Sequence, residues 1–164
     1  MDGRTKSILP GRAETPDVRH AVLDALVLTE LDRIRAVRRC AEGLLGSEGW
    51  NDDDAADVGL VVTELLQNAM EHGSRNDGAE AVRCRLTSRP EGVVEIEVHD
   101  PGTGKGFEAL ARRDVTAAPP LDAIRGRGLF LVHRMAESLE RLRAGDGGSL
   151  VAVRLRAASP LDRR

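Results

Sequence analysis

Apolar residues recur along the chain with two periods, and the places where one period gives way to the other mark out its elements. From Ala21 to Leu28, Val22, Leu26 and Leu28 set against Asp24 fit a strand, and are also compatible with a helical start. Thr29 is an N-cap candidate with Asp32 three residues on, and Leu31, Ile34, Val37, Ala41, Leu44 and Leu45 follow at helical spacing until Gly46. Arg33, Arg35, Arg38 and Arg39 fall on the opposite face, a charge row that is either solvated or suited to an acidic partner. After a polar connection, Asp52, Asp53 and Asp54 suit the positive end of a further helix, which carries Leu60, Val61, Leu65 and Met70 and stops at Gly73.

The period then shortens to two. Residues 81–88 alternate Val82, Cys84 and Leu86 with Arg83 and Arg85, and residues 93–99 alternate Val94, Ile96 and Val98 with Glu95, Glu97 and His99, joined across Pro90-Glu91-Gly92 as a hairpin. Residues 107–125 form a long connection with a short possible helix at 107–113 and a break at Pro119-Pro120, a length typical of a lid or of disorder. An apolar helix at 129–138 follows, then strands at 139–143 and 150–155 across an Asp146-Gly147-Gly148 turn. Residues 1–18 read as a loose arm, 19–156 as one domain and 157–164 as a polar tail. The expected fold is a two-layer α/β sandwich, a mostly antiparallel sheet with the three main helices on one face.

Composition narrows the picture. The length of 164 residues suffices for one core without metal or disulfide support. A net charge of −3 argues against a broad basic surface for nucleic acid, and no apolar run is long enough to span a membrane, so a cytoplasmic protein is expected. Cys40 and Cys84 lack metal-ligand spacing and read as reduced core residues. Aromatic residues make up only 2% of the chain, so a bound purine would need an aliphatic slot.

Candidate chemistry lies in three places. On the helix ending at Gly73, Glu64, Asn68 and His72 stand at i, i+4 and i+8, so a carboxylate, an amide and an imidazole share one face. The Asn68 side-chain oxygen suits a hard cation such as Mg²⁺ and Glu64 can accept a proton; the plain alternative is a solvated helix face. The strand ending at Asp100 runs into Gly102, Gly104 and Gly106, which let main-chain amides approach a ligand closely or simply make a turn. Gly126-Arg127-Gly128 opens the 129–138 helix, whose N-terminus favours an anion.

In this order, separated by a hairpin and a lid-sized loop, the three features resemble the GHKL ATPase superfamily with its Bergerat nucleotide fold, over about residues 20–156. The match of Glu64-Leu-Leu-Gln-Asn68-Ala-Met-Glu-His72-Gly73 to the N box is most similar to the anti-sigma-factor serine/threonine kinases. The resemblance implies ATP and Mg²⁺ as cofactors. It implies that Asn68 binds the metal, that Glu64 takes the proton from a serine or threonine hydroxyl, and that Asp100 accepts the adenine amino hydrogen. Gly102 and Gly104 would let the chain turn around the base, while Gly126, Arg127, Gly128 and Leu129 form the helix start that meets the phosphates. Ser149 stands where the family has a threonine near the adenine, and Lys105 is a phosphate candidate by proximity. Pro101 departs from the small polar residue usual after the aspartate and removes one amide from that turn.

The function so implied is a kinase that sequesters a sigma factor and phosphorylates an antagonist protein, as a homodimer joined through the first strand and helix. The alternative is a nucleotide-gated binding module without phosphotransfer. Arg112, Arg113 and Arg125 in the lid can add charge near the transferring group, though loop arginines are more often unspecific. His72 reads as a cap and packing residue, His133 as a core or boundary histidine, and His20 and His99 have no evident partners.

Overall fold

Five strands and three helices make up the described part of the computed structural model, which covers residues 21–28, 30–72, 81–89, 91–101, 114–116 and 127–157. In chain order they are β1 (Ala21–Leu28), α1 (Leu31–Ser47), α2 (Asp52–His72), β2 (Ala81–Arg89), β3 (Val93–Asp100), α3 (Gly128–Met135), β4 (Ser138–Arg143) and β5 (Ser149–Arg156). The sheet runs β1-β2-β3-β5-β4 and every neighbouring pair is antiparallel. The expected arm at 1–18, the tail beyond Ala157 and the short helix at 107–113 lie outside the described residues.

Strict alternation gives the three central strands one dry and one wet face. Val82, Cys84 and Leu86, Val94, Ile96 and Val98, and Val151, Val153 and Leu155 point into the core. They meet Ile34, Val37, Ala41 and Leu45 of α1 and Val58, Val61, Val62, Leu65 and Leu66 of α2. Each fully buried aliphatic side chain contributes about 1.5–3 kcal/mol, which binds the helical layer to one face of the sheet. The outer face carries ion pairs instead, among them Arg83 with Asp24 and Arg89 with Glu95. Burial drives the Cys84 thiol pKa up to about 12, so it is an inert core group.

Several local expectations are corrected. The N-cap of α1 is Glu30, not Thr29, and it makes no side-chain capping bond. The helix runs past Gly46 to Ser47, and the left-handed residue that follows is Gly49, with φ 85°. α2 is the better capped helix: the Asp54 amide donates to Asn51 Oδ1 at 2.9 Å, and Asn51 Nδ2 returns a bond to Asp54 Oδ2 at 2.6 Å. Cys40 is exposed, because the inward line of α1 runs through Val37, Ala41 and Leu45.

The alternation expected in β1 is also corrected: Val22, Leu26 and Leu28 do not face away from Asp24 but share its outer face. Ala25 and Leu23 pack on the core and Val27 is buried in it, whereas Val22, Leu26 and Leu28 point outward and are 45%, 75% and 44% exposed. The reason is the register, which pairs Leu23 with Leu86 and Val27 with Val82, so the odd positions share the core face of β2. The arginine row on α1 is largely spent within its own helix region: Arg33 pairs with Glu30, Arg35 with Asp32 and Arg38 with Glu42. α3 ends at Met135, three residues short of the expected end, and β4 begins at Ser138.

Candidate functional site

The long central helix α2 fixes the first part of the site. Val61, Val62, Leu65, Leu66, Ala69 and Met70 are buried, which holds the intervening Glu64 and Asn68 half-buried at the edge of the core. Asn68 Nδ2 donates to the Glu64 carbonyl oxygen at 2.7 Å. That bond uses one of the two amide hydrogens and turns the nitrogen toward the helix backbone, so the oxygen is left for a ligand together with one N–H. The Glu64 carboxyl is pushed above the ordinary value of 4.5, first by burial and then by the charge of Glu71. A raised carboxyl pKa gives a stronger base when ionised.

α3 supplies the second part. Leu129 and Val132 are each 1% exposed, so the start of the helix is anchored in the core. Its first residue, Gly128, lies directly against the Glu64 carboxylate: a Cβ there would collide with Oε2 and stand 2.9 Å from Cδ. Glycine permits this approach with the Glu64 carboxylate where it stands; any Cβ would require that flexible side-chain end to move. The approach brings the first amides of α3, which have no partner within the helix, to the neighbourhood of the Glu64 carboxyl group. Arg127 precedes the helix as its N-cap residue, and its side chain is exposed.

Asp100 and Ser149 supply the third part. They are cross-strand partners in the β3–β5 ladder and are only 2% and 7% exposed. A carboxylate at that depth must be matched by hydrogen-bond donors. The β4–β5 turn lies across the end of β3, and a Cβ on Gly148 would strike the Asp100 carbonyl oxygen and come within 3.0 Å of Pro101 Cα.

The structure therefore unites Glu64 with Gly128, and Asp100 with Ser149. Gly102, Gly104, Lys105, Gly126 and the lid arginines Arg112, Arg113 and Arg125 lie outside the described residues, as does the His72 side chain. His133 is exposed rather than a core or boundary residue, although it follows the buried Leu129 by one helical turn. His99, expected to lack a partner, has Asp146 Oδ2 at 3.0 Å from Nε2. That contact and the close approach of Gly148 to β3 join residues far apart in the chain, and only the Asp-Gly-Gly turn signal hinted at either.

Residues 27–155 match the family model of the histidine kinase-like ATPase domain. The chain belongs to that family. It shares the fold with the RsbU and RsbW domains of Rv1364c from Mycobacterium tuberculosis, with a TM-score of 0.61 and 21% identity. That match covers 91% of this chain and 34% of the other, so the chain spans about a third of that longer protein. The SiaB-SiaC complex from Pseudomonas aeruginosa gives a TM-score of 0.60 at 17% identity, covering 82% of this chain and 89% of that one. As a member of the ATPase-domain family the chain is an ATP-binding domain of the GHKL kind, with an antiparallel sheet and its helices on one face.

The donor set suits a magnesium nucleotide. A buried carboxylate such as Asp100 complements an amino group, a helix N-terminus complements phosphate oxygens, and one amide oxygen suits a cation whose other ligands are phosphates and water. Among the described residues no group of three His, Cys, Asp or Glu side chains is placed to hold a metal by itself. No described helix is long and apolar enough to cross a membrane.

Proposed function

We propose that this protein is an ATP-dependent serine/threonine protein kinase of the anti-sigma-factor type, which holds a sigma factor and phosphorylates an antagonist protein. The observation that carries the reading is the half-buried Glu64 carboxyl, with its raised pKa, set against the glycine that opens α3. Phosphoryl transfer asks mainly for positioning, charge neutralisation and one proton acceptor. In this reading Glu64 takes the proton of the incoming hydroxyl and the oxygen of Asn68 holds Mg²⁺. Gly126, Arg127, Gly128 and Leu129 form the phosphate cradle, with Lys105 beside it. Asp100, flanked by Ser149, Gly102 and Gly104, receives the adenine. Bound Mg-ATP supplies the phosphoryl group.

The likeness to a structure of RsbU and RsbW domains and to one of a SiaB-SiaC complex supports a regulator that works on protein partners. The working place is the cytoplasm, with no direct contact to nucleic acid. A homodimer through β1 and α1 is part of the same proposal, supported by the outward Val22, Leu26 and Leu28 on an edge strand.

The test is a pull-down from source-cell lysate with immobilised protein in Mg-ATP and in Mg-ADP, with phosphoserine and phosphothreonine read by mass spectrometry. A sigma factor retained under one nucleotide, together with a small protein newly phosphorylated under ATP, is the expected result. Nucleotide-dependent partners without phosphorylation would replace the kinase by a nucleotide-gated binding module. Asn68→Ala is expected to remove the Mg²⁺-dependent part of ATP affinity, about tenfold or more, a size reasonable for one lost metal ligand. Calorimetric titration with and without Mg²⁺ checks this, and equal affinities in variant and wild type with Mg²⁺ present take Asn68 out of the site.

A further inference from the structure

The outer face of the sheet carries a contact that the proposed chemistry leaves unused. Asp146, in the β4–β5 turn, engages both of its carboxylate oxygens: Oδ1 accepts the Gly148 amide at 3.0 Å, and Oδ2 accepts His99 Nε2 at 3.0 Å. These two bonds hold the Asp146 carboxyl below its ordinary range, the Gly148 amide being the larger cause. The turn is closed by its own backbone, Ala144 to Gly148 and Gly147 to Ala144, each at 3.0 Å. Asp146 thus joins a preformed turn to the last outward-facing residue of β3. His99 is free for that bond because its cross-strand neighbour Arg83 is committed to Asp24 at 2.9 and 2.6 Å.

The consequence appears on the opposite side of the sheet. The residue after His99 is the buried Asp100, and the residues after Asp146 and Gly147 are Gly148, packed on the Asp100 carbonyl, and Ser149, its cross-strand partner. The outward pair therefore sets how the turn seats on the residue that the proposed reading gives to adenine. We propose that His99 and Asp146 are positioning residues for base recognition: their contact clamps the β4–β5 turn onto the end of β3 and so fixes the Asp100–Ser149 pair. This rests on the assignment of Asp100 to the base.

The test uses the full chain, calorimetric titration with Mg-ATP and Mg-ITP, and thermal unfolding of each variant. Inosine lacks the amino group that Asp100 would receive, so the ratio of the two affinities reports Asp100 placement, whereas a general loss of stability lowers both affinities together. His99→Ala is expected to lower the ATP preference by about three- to tenfold, the range for one net hydrogen bond, and Asp146→Ala, which also loses the Gly148 amide bond, by at least as much. The double variant should lose no more than Asp146→Ala alone. His99→Gln, whose amide can still donate to Asp146, should keep most of the preference. Arg156→Ala removes an outward pair with Glu137 at the far end of β5 and should lower the unfolding midpoint without changing the ratio. A wild-type ratio near one overturns the base assignment and the clamp with it. A clear wild-type preference that survives in His99→Ala and Asp146→Ala overturns the clamp alone.

Discussion

Replacing Glu64 by Gln is expected to lower phosphoryl transfer by about two to four orders of magnitude, the usual contribution of a positioned general base, while ATP still binds. The side chain keeps its shape, so Gly128 and the start of α3 have no reason to move. What disappears is the proposed proton acceptor. The same substitution has a second signature that does not depend on activity. The Glu64 pKa is raised in the folded protein by burial and by Glu71, so the folded state binds the proton more tightly than the unfolded chain. The favourable contribution is therefore complete below the ordinary carboxyl value of 4.5 and is lost as pH rises through the raised one. Gln carries no such dependence. Relative to wild type, Glu64→Gln should gain stability between acid and neutral pH, and denaturant titrations across that range check the sign. Transfer by the wild type should rise over the same interval as Glu64 ionises. Transfer that persists in Glu64→Gln would exclude Glu64 as the base, whatever the stability shows.

A methyl group at Gly128 is expected to do comparable damage by a different route. The Cβ of Gly128→Ala would overlap the Glu64 carboxylate, and α3 cannot withdraw because Leu129 and Val132 anchor it in the core. Glu64 must swing away, and forcing the end of a flexible side chain off its preferred rotamer costs about 0.5–1.5 kcal/mol. Transfer should fall at least tenfold, a modest figure for displacing a general base that contributes 10²–10⁴-fold. Because the collision is with one identified side chain, it should be relieved by removing that side chain. In a Glu64→Ala background, Gly128→Ala is expected to cost little, and a four-protein denaturation cycle measures the coupling. An equal cost in both backgrounds would show that the methyl group meets something other than Glu64.

The parts of the fold that rest on local periodicity were legible without coordinates. β2 and β3 follow from alternation, and α2 from its apolar spacing and the acidic first turn at Asp52, Asp53 and Asp54. The misses have separate causes, one in strand register and two in local backbone geometry. Leu26 is the most exposed large apolar residue of the protein's described part because β1 is an edge strand whose register to β2 turns its larger side chains outward. Cys40 lies outside because it sits one residue off the inward line of α1, and a one-residue step turns a helical side chain by about 100°. Glu30 caps α1 in place of Thr29 because the chain leaves β1 with the Glu30 amide bonded to the Leu28 carbonyl at 2.7 Å.

The candidate site divides along the same line. The order of residues along the chain settles which groups exist and which of them share an element: Glu64 and Asn68 one helical turn apart, Asp100 at a strand end, Gly128 at a helix start. Those relations are set by backbone repeat and by the conformational needs of glycine, and both act over a few residues. It takes the packed chain to show that Gly128 lies on the Glu64 carboxylate, that Ser149 stands opposite Asp100, and that Asp146 reaches His99. These contacts join positions far apart in the chain, and their partners are chosen by strand register and by how α3 packs on α2. Burying a common core sets both, and no local spacing encodes them.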